Sequence, residues 1–222
     1  MSKPPQQTSA RAGRIRQALR YRLNRVWLTK CWVAFCQDVE EFQPPAEGQP
    51  GIDFRRAEAS ELDSLAEMSQ HMGPSARKIL AEQFLCPQDI TMIGTDTETG
   101  KLVYHTWLSH ECTGLKLLGD WAHRPAASLR RAWVPPALRR KGIATVGFRI
   151  LLSAAAEEGV RQIWSFVLPD NIPSMRLHQR LGFRQTGNIH LKARFGHKFL
   201  VGHCDGQQDE RRVDVPGDFR TL

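Results

Sequence analysis

The chain of 222 residues has no uninterrupted apolar run near the ~20 residues that a membrane-spanning helix needs. It has no internal repeat, so solenoid architectures are set aside. It has no CxxC pair: Cys31, Cys36, Cys86, Cys112 and Cys204 are odd in number and irregularly spaced. Neither a disulfide framework nor a metal site is expected from them, and they read as reduced, small apolar fillers suited to a reducing cytoplasm. GxxxxGK[ST] is absent and no GxGxxG follows a strand, which argues against P-loop nucleotidases and dinucleotide-binding folds. Tyrosine is scarce, with only Tyr21 and Tyr104. No apolar stretch precedes a small-residue cleavage site, so no secretory signal is read.

Acid is missing from one end. Lys3, Arg11, Arg14, Arg16, Arg20, Arg22, Arg25 and Lys30 all precede Asp38, the first acidic residue. The chain carries 31 Lys+Arg against 23 Asp+Glu, a net charge of +8, and removing those eight bases leaves the remainder balanced. The excess belongs to the N-terminal segment, and a nucleic-acid-binding body is not expected.

The punctuation divides the chain. Residues 1–10 are polar and Pro-containing, expected to be disordered. Residues 11–47 form a basic amphipathic segment and linker, with Ile15, Leu19, Leu23 and Val26 at helical spacing. Within it Cys31–Cys36 has no polar residue and suits either a continued helix or a short strand. Four roles stay open for residues 11–35: packing on their own domain, packing on a second subunit of a homodimer, lying on an anionic membrane surface, or contacting nucleic-acid phosphates; packing is favoured, since it is the usual reason for an amphipathic stripe. An acid-free, Arg-rich start also has the character of an organellar transit peptide.

From residue 48 to 203 helices and strands mix, which reads as one α+β domain. Strands are predicted at 52–56, 90–94, 102–108, 129–134 and 162–168, with two closing strands between 183 and 201. Helices are predicted at 58–72 and 74–85, from Ile143 to the cap at Gly159, and from Asp170 or Asn171 to Gly182. Residues 109–127 read as irregular and 204–222 as a loose polar tail.

One stretch points to chemistry. Arg139-Arg140-Lys141-Gly142-Ile143-Ala144 is a short turn entering a helix, whose first N–H groups lack partners and converge with the helix dipole. Such a point binds phosphate, and glycine at 142 lets a ligand approach the backbone. A glycine serving a tight turn beside a solvated basic cluster is the plainer alternative.

Strand 129–134 ending in Val134-Pro135-Pro136, this turn, a helix, a strand, and then Asn171-Ile-Pro-Ser174 closing on Gly182-Phe183 resemble the GNAT acyltransferase superfamily. The resemblance covers residues 51 to about 203, with its specific motifs within 132–183. It implies a mixed, mostly antiparallel sheet with helices on both faces, and acetyl-CoA as acyl donor. The donor's diphosphate would sit on Arg139, Arg140, Lys141, Gly142, Ile143 and Ala144, with Thr145 at the helix start. Its pantetheine arm would pair with Trp133 and Val134, and Asn171 and Ser174 would line the other side. The early helices and the loop before the fourth family strand would build the acceptor side.

The implied reaction is transfer of an acetyl group to an amine of a small molecule or sugar. Two alternatives remain: a CoA-binding regulatory module without turnover, and transfer of a longer acyl chain from CoA or a carrier protein. The family frequently has a tyrosine seven residues after the asparagine, as proton donor to the leaving sulfur; here His178 stands there. With an ordinary pKa of ~6.5, a protonated His178 would serve as that donor. No acid lies in strand 129–134, and His105, His110, Glu111, Asp120 and His123 near it read as surface or structural groups, leaving the general base unassigned.

Overall fold

A computed structural model describes residues 28–39, 48–69, 76–111, 113–119, 122, 125–194, 197–205 and 211–215. The expected amphipathic helix from Arg11 through Val26 lies outside them. In chain order the elements are β1 (Leu28–Asp38), β2 (Ile52–Arg56), α1 (Leu62–Met68), α2 (Ala76–Phe84), β3 (Ile90–Asp96), β4 (Leu102–Ser109), α3 (Thr113–Leu118), β5 (Ala126–Trp133), α4 (Ile143–Glu157), β6 (Gln162–Val167), α5 (Ile172–Arg180), β7 (Arg184–Arg194), β8 (His197–Cys204) and β9 (Arg211–Val215). The strands form one sheet in the order β2-β3-β4-β5-β6-β1-β7-β8-β9. Every pairing is antiparallel except β5 with β6, which α4 connects as a crossover. This is the GNAT fold, α+β with a mixed, mostly antiparallel sheet.

The apolar run Cys31–Cys36 is strand, not helix. β1 lies between β6 and β7 and pairs with both, so its side chains are buried alternately on the two faces. Val33 and Phe35 enter the cluster under α4, while Ala34 and Cys36 enter the one under α3. Burial on both faces is what an all-apolar strand is for. The sheet thus begins within the segment 11–47 and runs into residues 204–222, where β9 pairs with β8. Residues 211–215 are therefore strand rather than loose tail, and residues 113–118, expected to be irregular, form the short helix α3.

The two faces are covered differently. On one face α4 buries Ile143, Phe148, Leu151 and Leu152 against Val33, Phe35, Tyr104, Leu129 and Ile163, a single continuous cluster. Gly147 permits that contact, because any Cβ there would overlap the Tyr104 ring. The opposite face carries separate clusters. Leu65 of α1 and Leu80 of α2 cover Ile93 and Trp107, while Leu115 and Leu118 of α3 cover Ala34, Cys36 and Trp164. β5 runs along the seam between them.

Candidate active site

β5 and β6 are hydrogen-bonded only from Ala126↔Gln162 to Leu129↔Ser165. β5 continues to Trp133 and β6 to Val167, so beyond Leu129 the two strands part. A bulge in β5 accompanies the parting: the pairing with β4 jumps from Trp107↔Arg130 to His105↔Trp133, leaving Arg131 and Ala132 facing one residue. Arg131 has φ 54, in the left-handed region, and the Thr106 hydroxyl donates to the Arg130 carbonyl at 3.2 Å. A bulge bends its strand and re-aims side chains, and here it shifts the alternation. Leu129 and Val134 both reach the α4-side core, although five residues apart.

The gap leads directly to the turn. Pro135 and Pro136 stop the strand, a single 3-10 turn spans Pro136–Leu138, and α4 starts at Ile143. Arg140 has φ 67 and Gly142, the N-cap, has φ 84. Left-handed residues in such a turn make a concave array of N–H groups suited to an anion. No side chain caps α4, so its first amides keep their positive end open. A Cβ at Gly142 would meet only the Gln49 side-chain oxygen, 3.4 Å away, which leaves the approach to the backbone clear on that side. Lys141 and Arg140 are exposed around it, and Ile143 anchors the helix start in the core. Ala144 and Thr145 are half-buried in its first turn. These features fit a diphosphate.

Arg139 does something the sequence did not disclose. Its Nε donates to the Val134 carbonyl at 3.1 Å and its guanidinium lies 4.6 Å from the Trp133 ring centre. It braces the end of β5 beside the gap. Trp133 is half-buried and Val134 buried.

Asn171, Ser174 and His178 share α5. Asn171 is the N-cap, its side-chain oxygen accepting from the Ser174 N–H at 3.3 Å. The Ser174 carbonyl accepts from His178 Nδ1 at 2.8 Å, which places the ring proton on that nitrogen. His178 is 2% exposed, inside a box of Phe35, Phe148 and Phe183 with ring centres 5.3, 5.6 and 5.1 Å away. Its Nε2 is buried without a hydrogen-bond partner. Burial pulls its pKa down to about 4, against which the Ser174 carbonyl works only partly. The ring is neutral at physiological pH.

Of the groups near β5, His105 is wholly buried, with Nε2 2.9 Å from the Ser69 hydroxyl. His110 receives Asp89, whose carboxylate accepts its backbone N–H at 3.0 Å, and Glu111 is exposed. Asp120 and His123 lie outside the described residues. Among the described residues no three His, Cys, Asp or Glu side chains converge to hold a metal ion, and no helix is long and apolar enough to cross a membrane.

The fold has many counterparts. A glucosamine N-acetyltransferase region of a fungal multi-domain β-N-acetylglucosaminidase superposes with a TM-score of 0.62 at 15% identity, over 80% of this chain and 22% of that one. A Drosophila protein gives 0.58 at 14% identity, over 82% of this chain and 58% of its own. An aminoglycoside 6′-N-acetyltransferase from Acinetobacter baumannii gives 0.51 at 21% identity, over 60% of this chain and 91% of that one. The chain thus spans about half or less of the first two. No curated protein sequence matches it. The model of the acetyltransferase (GNAT) family matches residues 82–183, from α2 through α5 with the gap and the turn inside it.

Proposed function

We propose that the protein is an N-acyltransferase that takes an acetyl group from acetyl-CoA and passes it to an amine of a small molecule or sugar. The observation that carries this reading is the uncapped start of α4 at left-handed Gly142, opening beside the gap between β5 and β6. The amides of Gly142, Ile143, Ala144 and Thr145, with Arg140 and Lys141, would hold the donor's diphosphate. Trp133 and Val134 would pair with its amide arm, an unpaired strand edge meeting a ligand that has its own N–H and C=O groups. Asn171 and Ser174 would border the far side. When bound, the donor supplies a thioester carbonyl open to attack.

Attack requires a neutral amine, and an alkylamine of pKa ~10.4 is mostly protonated at neutral pH. Val134 would offer its N–H to the charge that develops on the carbonyl oxygen, in a gap with little water. His178 does not fit the proton donor's part. Its one ring proton is given to the Ser174 carbonyl, and with a pKa of about 4 it has no second at neutral pH. Its place instead is to lock α5, and so Asn171 and Ser174, against the aromatic core.

That same observation favours one other reading, a CoA-binding module without turnover. The two separate on one measurement. Thiol release from acetyl-CoA, followed across a broad panel of amines, is expected to be amine-dependent. If acetyl-CoA raises the melting temperature but no amine yields thiol, the binding module stands instead.

A further inference from the structure

The turn at 139–142 leads into α4, so a donor held there enters the gap from the α4 face of the sheet. The amine must then come from the other face, through the seam between α1/α2 and α3. On that face β5 presents Ser128 and Arg130, followed by the bulged Arg131 and then Trp133. Among the described residues three donors on that face lack acceptors. Arg130 Nε, Arg131 Nη1 and Trp107 Nε1 are each buried with no hydrogen-bond partner. Trp107 is the β4 residue directly opposite Arg130, so two of the three atoms belong to one cross-strand pair. Among the described residues no acid pairs with them. Glu82 of α2 acts on the Arg131 charge from a distance, while its own carboxylate lies 3.8 Å from Lys78. Burial, with the neighbouring Arg130 charge, pulls the Arg131 guanidinium down only to about 10, so it stays charged at neutral pH.

A neutral buried donor can be left dry at a modest cost. Arg130 and Arg131 are half-buried, and a guanidinium with a nitrogen shut off from water gains from a partner whose geometry its planar fork matches, a carboxylate bound through paired hydrogen bonds. We infer that the acceptor is an amine that also carries a carboxylate, which Arg131 and Arg130 bind at the mouth of β5 while the amine reaches the gap near Val134. The inference rests on the acyltransfer reading above. It excludes a polycationic acceptor of the aminoglycoside kind, because two guanidinium groups would repel it.

The test uses the full chain, acetyl-CoA and matched amines: alanine, lysine and 6-aminohexanoate, each against its carboxamide, together with kanamycin. The carboxamides have the lower amine pKa and so more free amine, which biases the comparison against the inference. For at least one pair kcat/KM is expected to be higher for the acid by about tenfold or more. In Arg131→Asn that ratio should fall towards one. Asparagine tolerates the left-handed backbone, and a melting curve checks that the variant folds. Arg130→Gln should lower the same ratio and serves if R131N does not fold. A wild-type preference for the carboxamides or kanamycin, or a ratio unchanged in both variants, overturns the inference while leaving acyltransfer intact. If no amine is turned over, the acyltransfer reading fails, and calorimetric titration of the same pairs into the protein decides the acceptor question alone. Tighter binding of the acid, lost in R131N, supports the carboxylate site; equal binding or none overturns it.

Discussion

The two faces of this sheet bury polar groups in opposite ways. Under α4 the buried nitrogen without a partner, His178 Nε2, belongs to a ring that its surroundings keep neutral. Across the sheet, at the seam beside β5, the atoms without partners include guanidinium nitrogens of Arg130 and Arg131. A neutral ring in an aromatic box is a cost that a continuous core absorbs. Charged groups between two separate patches of cover mark a surface built to meet something. One face is dry scaffold, and it fixes the turn, the gap and α5; the other is the proposed way in.

The sharpest test of the dry face is Phe35→Ala. Phe35 is wholly buried and holds both the α4 cluster and the His178 ring. Removing such a side chain typically costs ~3–5 kcal/mol, read as a shift of the denaturant midpoint at unchanged slope. It also tests the place of β1, since a strand peripheral to the domain would lose under ~1 kcal/mol.

That strand shows where the sequence was legible and where it was not. The turn and helix at 139–157, the cap at Asn171 and the glycine at 182 all follow local rules of capping and backbone freedom; Ile143 starts its helix as read, and Asn171, one of the two residues read as cap, caps the helix that begins at Ile172. β1 does not follow such rules. An apolar run buried on both faces has no period, so Cys31–Cys36 reads equally as helix or strand, and only pairing with β6 and β7, distant in sequence, decides. Residues 211–215 are highly charged and have no apolar alternation, yet pairing with β8 makes them strand. At the turn, the helix start and its glycine were legible because they follow from backbone conformation, with Gly142 left-handed as the N-cap. Arg139 looked like Arg140 in sequence, but its guanidinium turns back to Trp133 and Val134. The position of His178 was legible and its ionisation was not, because the pKa depends on burial among Phe35 of β1, Phe148 of α4 and Phe183 just before β7, which only the fold brings together. Arg130 and Arg131 carried no readable signal at all. Their meaning depends on a bulge, and a bulge here is marked by neither glycine nor proline.

Next in size is an acid effect. His178 has a folded pKa of about 4 against 6.5 for the free side chain. Between those values the unfolded chain holds a proton that the folded chain refuses, so stability falls as pH drops from ~6.5 to ~4. The loss is roughly 3 kcal/mol over the window, full only at its lower end. Denaturant midpoints from pH 7 to 4 should show this slope. His178→Phe, which keeps a ring in the box, should flatten it; an unchanged slope would locate the acid effect elsewhere.

Gly142→Val bears on the junction between the faces. The left-handed φ of 84 costs a side-chain-bearing residue about 1–2 kcal/mol, and a β-branched side chain also crowds the open end of α4. The unliganded protein should lose about that much, and the rise in melting temperature with acetyl-CoA should disappear. A variant that loses stability yet keeps the full acetyl-CoA shift would leave Gly142 a turn glycine and nothing more.

The smallest effect separates dry from wet on the entrance face. Ser128 is wholly buried, opposite Ser109 on β4 and beside Trp164 on β6, and its hydroxyl has no hydrogen-bond partner. A dry orphan hydroxyl costs free energy that alanine avoids, and the volume lost is one oxygen. Ser128→Ala should therefore be neutral or stabilise by up to ~1 kcal/mol. A hydroxyl bridged by water to its neighbours would give the opposite sign, a loss of ~0.5–1.5 kcal/mol. The first result would end the dry scaffold's reach at Ser128 and put the boundary one step along β5, at Arg130. The second would carry solvent to the floor of the seam, with two guanidinium groups partly hydrated, and would weaken the demand they place on a ligand.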